Sequence, residues 1–321
     1  MSDSIELNTW LDVMGDEYLT SYVPSGGSTI KICVVDPDDR VPVVDRIYDY
    51  GNSLGYVVAK VDGEAVRLHM LEDIFFLIAQ QIDWRTLARR AILRMANSYS
   101  TSGIDPSHGN IYEAIADLNS VTVDFLLKEI RPKIEQLIFR DPYMARDFRI
   151  VMMQMCLHER FEDDQSYGGR DLINWLTNNK ESPINLKQFS INKSSINRTT
   201  AQDFLKSLSY FIRWVGLPGL ILIIDNTRVF VHPNPRNGIR YYNRAQLMDH
   251  YEILRNFIDD IDQIIGIFTT VITDPEFLNA NNDRFSRGYG IYDALRTRVM
   301  NDVHDRDLVN PIATLVRLYR R

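Results

Sequence analysis

Two largely apolar runs constrain this chain more than any other feature. "GLILIIDN" (219–226) and "QIIGIFTTVIT" (263–273) lack polar alternation, the form of strands buried on both faces of a parallel sheet. Between them, "AQLMDHYEILRNFIDDI" keeps the three-and-four apolar spacing of a helix. The N-terminal part repeats the layout, with a short apolar strand over 30–35, an amphipathic helix over 43–54 and a second strand in "GYVVAKVD" (55–62). Parallel neighbours need crossover connections, so the predicted fold is α/β, a three-layer parallel sheet with helices on both faces.

A long helical stretch separates the two α/β parts. Apolar residues at 71, 74, 75, 78 and 79 hold helical spacing, and "IYEAIADLNSVTVDFLLKEIRPKIEQLIF" and "DPYMARDFRIVMMQMCLHERF" continue it. The second of these opens on Asp141-Pro142, residues suited to a helix cap and first turn. Asn- and Ser-rich connections fall at 97–110 and 178–200, the latter ending in a helix cap before "AQDFLKSLSYFIRWVG". The expected organisation is an N-terminal tail over 1–16 and a single domain over 17–321, with a helical insertion at about 85–205.

The stretch "CVVDPDDRVP" (33–42) lies between the first strand and the first helix, where a phosphate-binding loop would be. Such a loop needs G-x-x-x-x-G-K-[ST]: glycines let backbone N–H groups wrap the phosphates, the lysine neutralises charge and the hydroxyl holds magnesium. On that template the defining positions fall on Val35, Arg40, Val41 and Pro42. Pro42 lacks a backbone donor, and Asp36, Asp38 and Asp39 bring negative charge to the place of a triphosphate. Taken alone, the loop is either a phosphate loop that has lost its function or an ordinary strand-to-helix turn.

Four longer stretches carry a resemblance. "EYLTSYVPSGGSTIKICVVDPDD" with "GYVVAKVDGEAVRLHMLEDIFFLI" opens it. "GGRDLINWLTNNK" and "LKQFSINKSSINRTTAQDFLKSLSYFIRWVGLPGLILIIDN" follow, then "MDHYEILRNFIDDIDQIIGIFTTVITDPEFL", and finally "RGYGIYDALRTRV" with "NPIATLVRL". In this order and spacing the chain resembles the P-loop, AAA+-like ATP-binding proteins of bacterial phage-defence loci of the BREX type, over roughly residues 17–318. The resemblance implies a P-loop NTPase-like core in which "LILIID" is the Walker B strand. It places Asp225 at the magnesium position and Asn226 where a glutamate would activate water. An amide cannot take that proton. Thr227 and Arg228 stand where such proteins tend to be acidic, and the chain ends at Arg321, about where a helical lid domain would begin, so the lid is expected to be missing.

The expectation is therefore a catalytically inactive P-loop ATPase homologue, with no cofactor, that serves as a structural or regulatory subunit of a BREX-like antiviral complex. Its partners would be proteins, such as an active ATPase paralogue or a helicase, and it could form oligomers. Arg296 and Arg298 are the candidate partner contacts, by the resemblance to ATPases whose arginines face a neighbouring subunit. The alternatives are a functioning NTPase with an unorthodox site around Asp225, or a nucleic-acid-binding component of the same system.

Charge bears on the last alternative. A net charge of −7 argues against a general nucleic-acid surface but leaves room for a local patch. Arg85, Arg89 and Arg90 on one helix, and Arg240 to Arg244 in "RYYNR", are the candidates, against the plainer readings of a solvated helix face and an exposed turn. His158, beside the acids of "CLHERFEDD", has no partner at metal-ligand spacing. Cys33 and Cys156 sit among apolar residues as buried thiols. With no signal-like N-terminus and no apolar run of membrane length, the expected location is the cytoplasm.

Overall fold

The computed structural model describes residues 4–160, 168–179, 186–192, 194–230, 241–279, 281, 286–302 and 309–320. They divide into two units, residues 1–74 with 217–321, and residues 75–216.

The first unit is built on one six-stranded, all-parallel sheet: β1 (Ile5–Glu6), β2 (Thr29–Val34), β3 (Val57–Asp62), β4 (Leu220–Asp225), β5 (Ile267–Thr273) and β6 (Leu315–Tyr319). Their order across the sheet is β1-β6-β2-β5-β4-β3. The two apolar runs become its central strands, and Leu220 to Ile224 are each at most 1% exposed. Burying an aliphatic side chain this fully is worth about 1.5–3 kcal/mol, which is why these strands need no polar face. Gly219 lets β4 begin: its φ of +154° suits glycine, and a Cβ there would lie 2.6 Å from the Gly266 carbonyl oxygen.

On one face Cys33, Val58, Ile221, Ile223, Phe268, Ile272 and Val316 pack with helices α1 (Leu7–Met14) and α2 (Arg40–Ser53). The alternate set, including Ile32, Val34, Ala59, Leu222, Ile224 and Val271, is also buried, so both faces are covered. Residues 5–14 of the expected tail over 1–16 are instead part of this core. Leu7, Trp10, Leu11 and Met14 are buried, and β1 pairs with β6. Their i, i+3, i+4, i+7 spacing explains the helix.

The second unit is helical. After α3 (Leu71–Gln80), which spans the boundary at residue 74, come α4 (Trp84–Met95), α5 (Ile111–Leu118), α6 (Val123–Ile134), α7 (Arg146–His158), α8 (Arg170–Leu176) and α9 (Ala201–Trp214). Its core is aromatic, with Phe148 edge-on to Trp84, Phe204 and Phe211, and Phe204 edge-on to Phe75 and Trp175. The unit reaches about ten residues beyond the expected 85–205 at each end. Asp141-Pro142 does not start α7. Asp141 accepts from the Tyr143 amide at 2.8 Å in a turn, and the helix begins at Arg146. The first unit also holds α10 (Arg244–Asp259), capped reciprocally by Asn243 and Gln246, and α11 (Asp293–Asp302). Among the described residues no helix is long and apolar enough to cross a membrane.

Candidate functional site

In open α/β sheets ligands bind beyond the carboxyl ends of the strands. Here β2 and its chain successor β3 are separated by β5 and β4, so the loop leaving β2 meets the ends of β4 and β5 at that edge. The loop is short. Val35 is buried and extends the ladder, its amide donating to the Thr273 carbonyl at 2.9 Å. A 3-10 turn over Pro37–Asp39 then runs directly into α2 at Arg40, three residues earlier than the sequence pattern predicts. Proline presets the turn, and Asp38 and Asp39 bring carboxylates to the positive end of the helix.

Arg40 reaches past the end of β5 to Asp225. Its Nε lies 3.5 Å from Asp225 Oδ2, and its Nη1 donates to Thr227 Oγ1 at 3.0 Å. The Thr227 hydroxyl donates to Asp225 Oδ1 at 2.5 Å and the Thr227 amide donates to the same oxygen at 3.1 Å. Burial pushes the Asp225 carboxyl above its ordinary range, opposed by the Thr227 hydroxyl and the Arg40 charge. Asp225 is thus supplied with a cation and two donors by its own chain.

Asn226 turns away from this cluster. It is fully buried, and its Nδ2 lies 3.4 Å from His250 Nε2 while His250 Nδ1 lies 3.1 Å from the Leu68 carbonyl oxygen. A carbonyl can only accept, so Nδ1 carries the proton, and Nε2 accepts from the Asn226 amide. Burial drives the His250 pKa down from 6.5 to about 4, consistent with this neutral tautomer. The position expected to hold a water-activating base is therefore a structural tie between the end of β4 and α10.

Several other charges of the edge are also paired. Arg317 donates to Asp36 at 3.2 Å, Arg320 stands 3.9 Å from Asp39, and Arg228 pairs with Glu64 and donates to the Tyr241 hydroxyl at 3.0 Å. Val41, at the lysine position of the phosphate-loop template, is 54% exposed, and Pro42 follows it in the first turn of α2. No cluster of His, Cys, Asp and Glu able to hold a metal ion occurs among the described residues.

Arg296 and Arg298 have separate fates. Arg298 makes a bidentate pair with Asp259 on α10 at 2.9 and 3.0 Å, in a network that continues through Arg255 to Glu252. The Arg296 side chain has no such partner among the described residues. Arg85 and Arg89 do not form a basic face. Both bind the buried Glu159 carboxylate, through Nε at 2.9 and 2.6 Å, and Arg89 also caps the Ser107 carbonyl at 3.2 Å. In "RYYNR", Tyr242 is buried with its hydroxyl accepting from the Leu68 amide, and Arg240 lies outside the described residues. His158 is half-buried edge-on to Phe189, and its acidic neighbours Glu162, Asp163 and Asp164 lie outside the described residues.

One residue of this region escaped sequence reasoning. Arg287, 5% exposed, donates to the Val229 carbonyl at 2.9 and 2.6 Å and to the Tyr242 carbonyl at 3.0 Å, while Tyr251 donates to its own carbonyl. It fixes the chain just after β4 and just before α10. The only signal was an arginine between Ser286 and Gly288, with nothing to separate it from a surface residue.

No curated protein and no solved structure matches the chain significantly. A family model, described as BREX system ATP-binding protein BrxC/D, matches residues 110–320, about two thirds of the chain. The matched span takes in Asp225, Asn226, Arg296 and Arg298, and the loop at 33–42 precedes it. With that match, and with a parallel α/β sheet consistent with a P-loop NTPase-like core, the chain belongs to the family of BREX system ATP-binding proteins.

Proposed function

We propose that this chain is a catalytically silent member of its family that serves as a structural or regulatory subunit of a BREX-type phage-defence assembly. The observation that carries the reading is the pairing of Arg40 with Asp225. A magnesium–nucleotide needs a free carboxylate for the metal, a lysine and wrapped N–H groups for the phosphates, and a base for water. Here Asp225 is matched by an arginine, Val41 carries no charge, and Asn226 is buried against His250. The residues present do not fit that ligand.

A fold that keeps its sheet without a nucleotide is useful through its surfaces, since binding sites concentrate on exposed faces of a rigid scaffold. Protein partners fit this role, with an active ATPase paralogue or a helicase as the expected kinds. Arg296 is the candidate contact, because arginine is enriched at interface hot spots and this one is not spent on an internal pair. Arg298 serves first to hold α11 on α10.

The test is phage protection and co-purification from the native host with tagged variants, each checked for folding by circular dichroism. Asp225→Ala and Val41→Ala are expected to retain protection and partners, and Arg296→Glu to lose them. Loss of protection in folded Asp225→Ala with Arg296→Glu silent would overturn the proposal.

A further inference from the structure

The helical unit carries a preorganised aromatic surface that the reading above does not use. Tyr143 stacks on Tyr210 of α9 with ring centroids 5.4 Å apart and planes at 29°. One carboxylate orders both: Asp141 Oδ1 accepts from the Tyr143 amide at 2.8 Å and Oδ2 accepts from the Tyr210 hydroxyl at 2.8 Å. The turn is further held by Arg149, which donates to the Asp141 carbonyl at 3.0 Å, and by the Ala145 amide, which donates to Ser207 Oγ on α9 at 2.8 Å. Despite this anchoring Tyr143 is 67% exposed, the most exposed of the large apolar residues described.

One turn along α9 the theme continues. Arg94 of α4, itself exposed, lies over the Trp214 ring with its guanidinium carbon 4.8 Å from the centroid, and donates to the Trp214 carbonyl. Phe211 stacks under Trp214 at 5.6 Å and 15°. Arg94 is close enough for its charge to be felt at the Tyr210 hydroxyl. Lys206 and Arg213, four before and three after Tyr210, stand on the same helical face. The charge balance agrees. Residues 75–216 hold 18 Lys and Arg against 16 Asp and Glu, whereas the rest of the chain holds 18 against 27.

A packed core has no use for a tyrosine pair fixed by a carboxylate with one ring left bare. From this juxtaposition we infer that the Tyr143–Tyr210 pair, flanked by Arg94, is a stacking platform for single-stranded nucleic acid. Unpaired bases stack on aromatic faces irrespective of sequence while cations track the phosphates. Stacking and phosphate contacts use no 2′-hydroxyl, so the surface is not expected to separate DNA from RNA strongly. The chain's overall negative charge disfavours binding outside this unit, and the contacts of its cations with phosphates make the interaction salt-sensitive.

The experiment is fluorescence anisotropy of a fluorescein-labelled oligothymidylate of about twenty nucleotides titrated with the full chain at low salt. Binding is expected that weakens steeply as salt rises, that an oligouridylate competes for, and that a duplex of the same length competes for poorly. Tyr143→Ala should weaken it about tenfold, while Tyr143→Phe, which keeps the ring, stays near wild type. Thermal melts confirm that the variants fold. No binding at low salt, or undiminished binding by folded Tyr143→Ala, would overturn the inference, as would equal competition by duplex.

Discussion

Arg40 at the start of α2 and Asp225 at the end of β4 meet across the intervening strand β5, Nε to Oδ2 at 3.5 Å, with Thr227 bonded to both. The pair is partly buried, its side chains 24% and 13% exposed. Removing one partner leaves the other charge in a desolvated place, which costs more than the pair contributes. Arg40→Ala is therefore expected to lower unfolding free energy by about 1–3 kcal/mol in urea melts, and Asp225→Asn in the Arg40→Ala background to recover part of that loss. Additive losses would mean that the two residues do not act as a pair.

Asn226 tests the buried end of the site. Asn226→Glu places a carboxylate against His250 in the interior, so the variant is expected to lose about 2 kcal/mol or more of stability. On the proposed reading it should show no ATP hydrolysis above background, because a base does nothing without a dock for the phosphates. Turnover in this single variant would show that the loop at 33–42 binds nucleotide after all.

His250 predicts a pH dependence. Its folded pKa, about 4, lies below the ordinary 6.5, so between those values the unfolded chain binds the extra proton. Its contribution to stability is complete above pH 6.5 and is lost as pH falls toward 4, amounting to about 3 kcal/mol over the window. Urea melts from pH 7 to 4.5 should show this slope in wild type and a shallower one in His250→Gln. Parallel slopes would place the titration elsewhere.

Glu159 is completely buried between Arg85 and Arg89, whereas Asp259 and Arg298 remain about a third exposed. Breaking a buried pair by removing one member costs about 3–5 kcal/mol, and an exposed pair about 1 kcal/mol or less. Glu159→Gln should accordingly lower the denaturation midpoint several times more than Asp259→Asn. Similar shifts would contradict the assignment of Arg85 and Arg89 to an internal role.

The centre of the sheet was legible because β4 is apolar without alternation, and nothing but burial on both faces suits "LILII". The position of the site was legible for a related reason, since Asp225 and the loop at 35–42 end two such strands. What the site does with its charges was not. Arg40 reads in sequence as a lost glycine, and only the crossing of β5 brings it to Asp225. Arg85 and Arg89 share a helix face in any periodicity plot, yet their partner Glu159 follows the end of another helix far along the chain. The N-terminal helix was missed because its eight residues make only a short periodic stretch, although Leu7, Trp10, Leu11 and Met14 hold helical spacing. Long-range pairing decides such cases, and local pattern carries no record of it.

The most direct test of the account is calorimetric titration of the purified chain with ATP and magnesium, carried to near-millimolar nucleotide. No saturable heat, and no nucleotide-dependent rise in melting temperature, is the expected result, since a ligand that binds the native state must stabilise it. Saturable binding that Asp225→Ala abolishes would contradict the claim that Arg40 has taken the place of the bound cation.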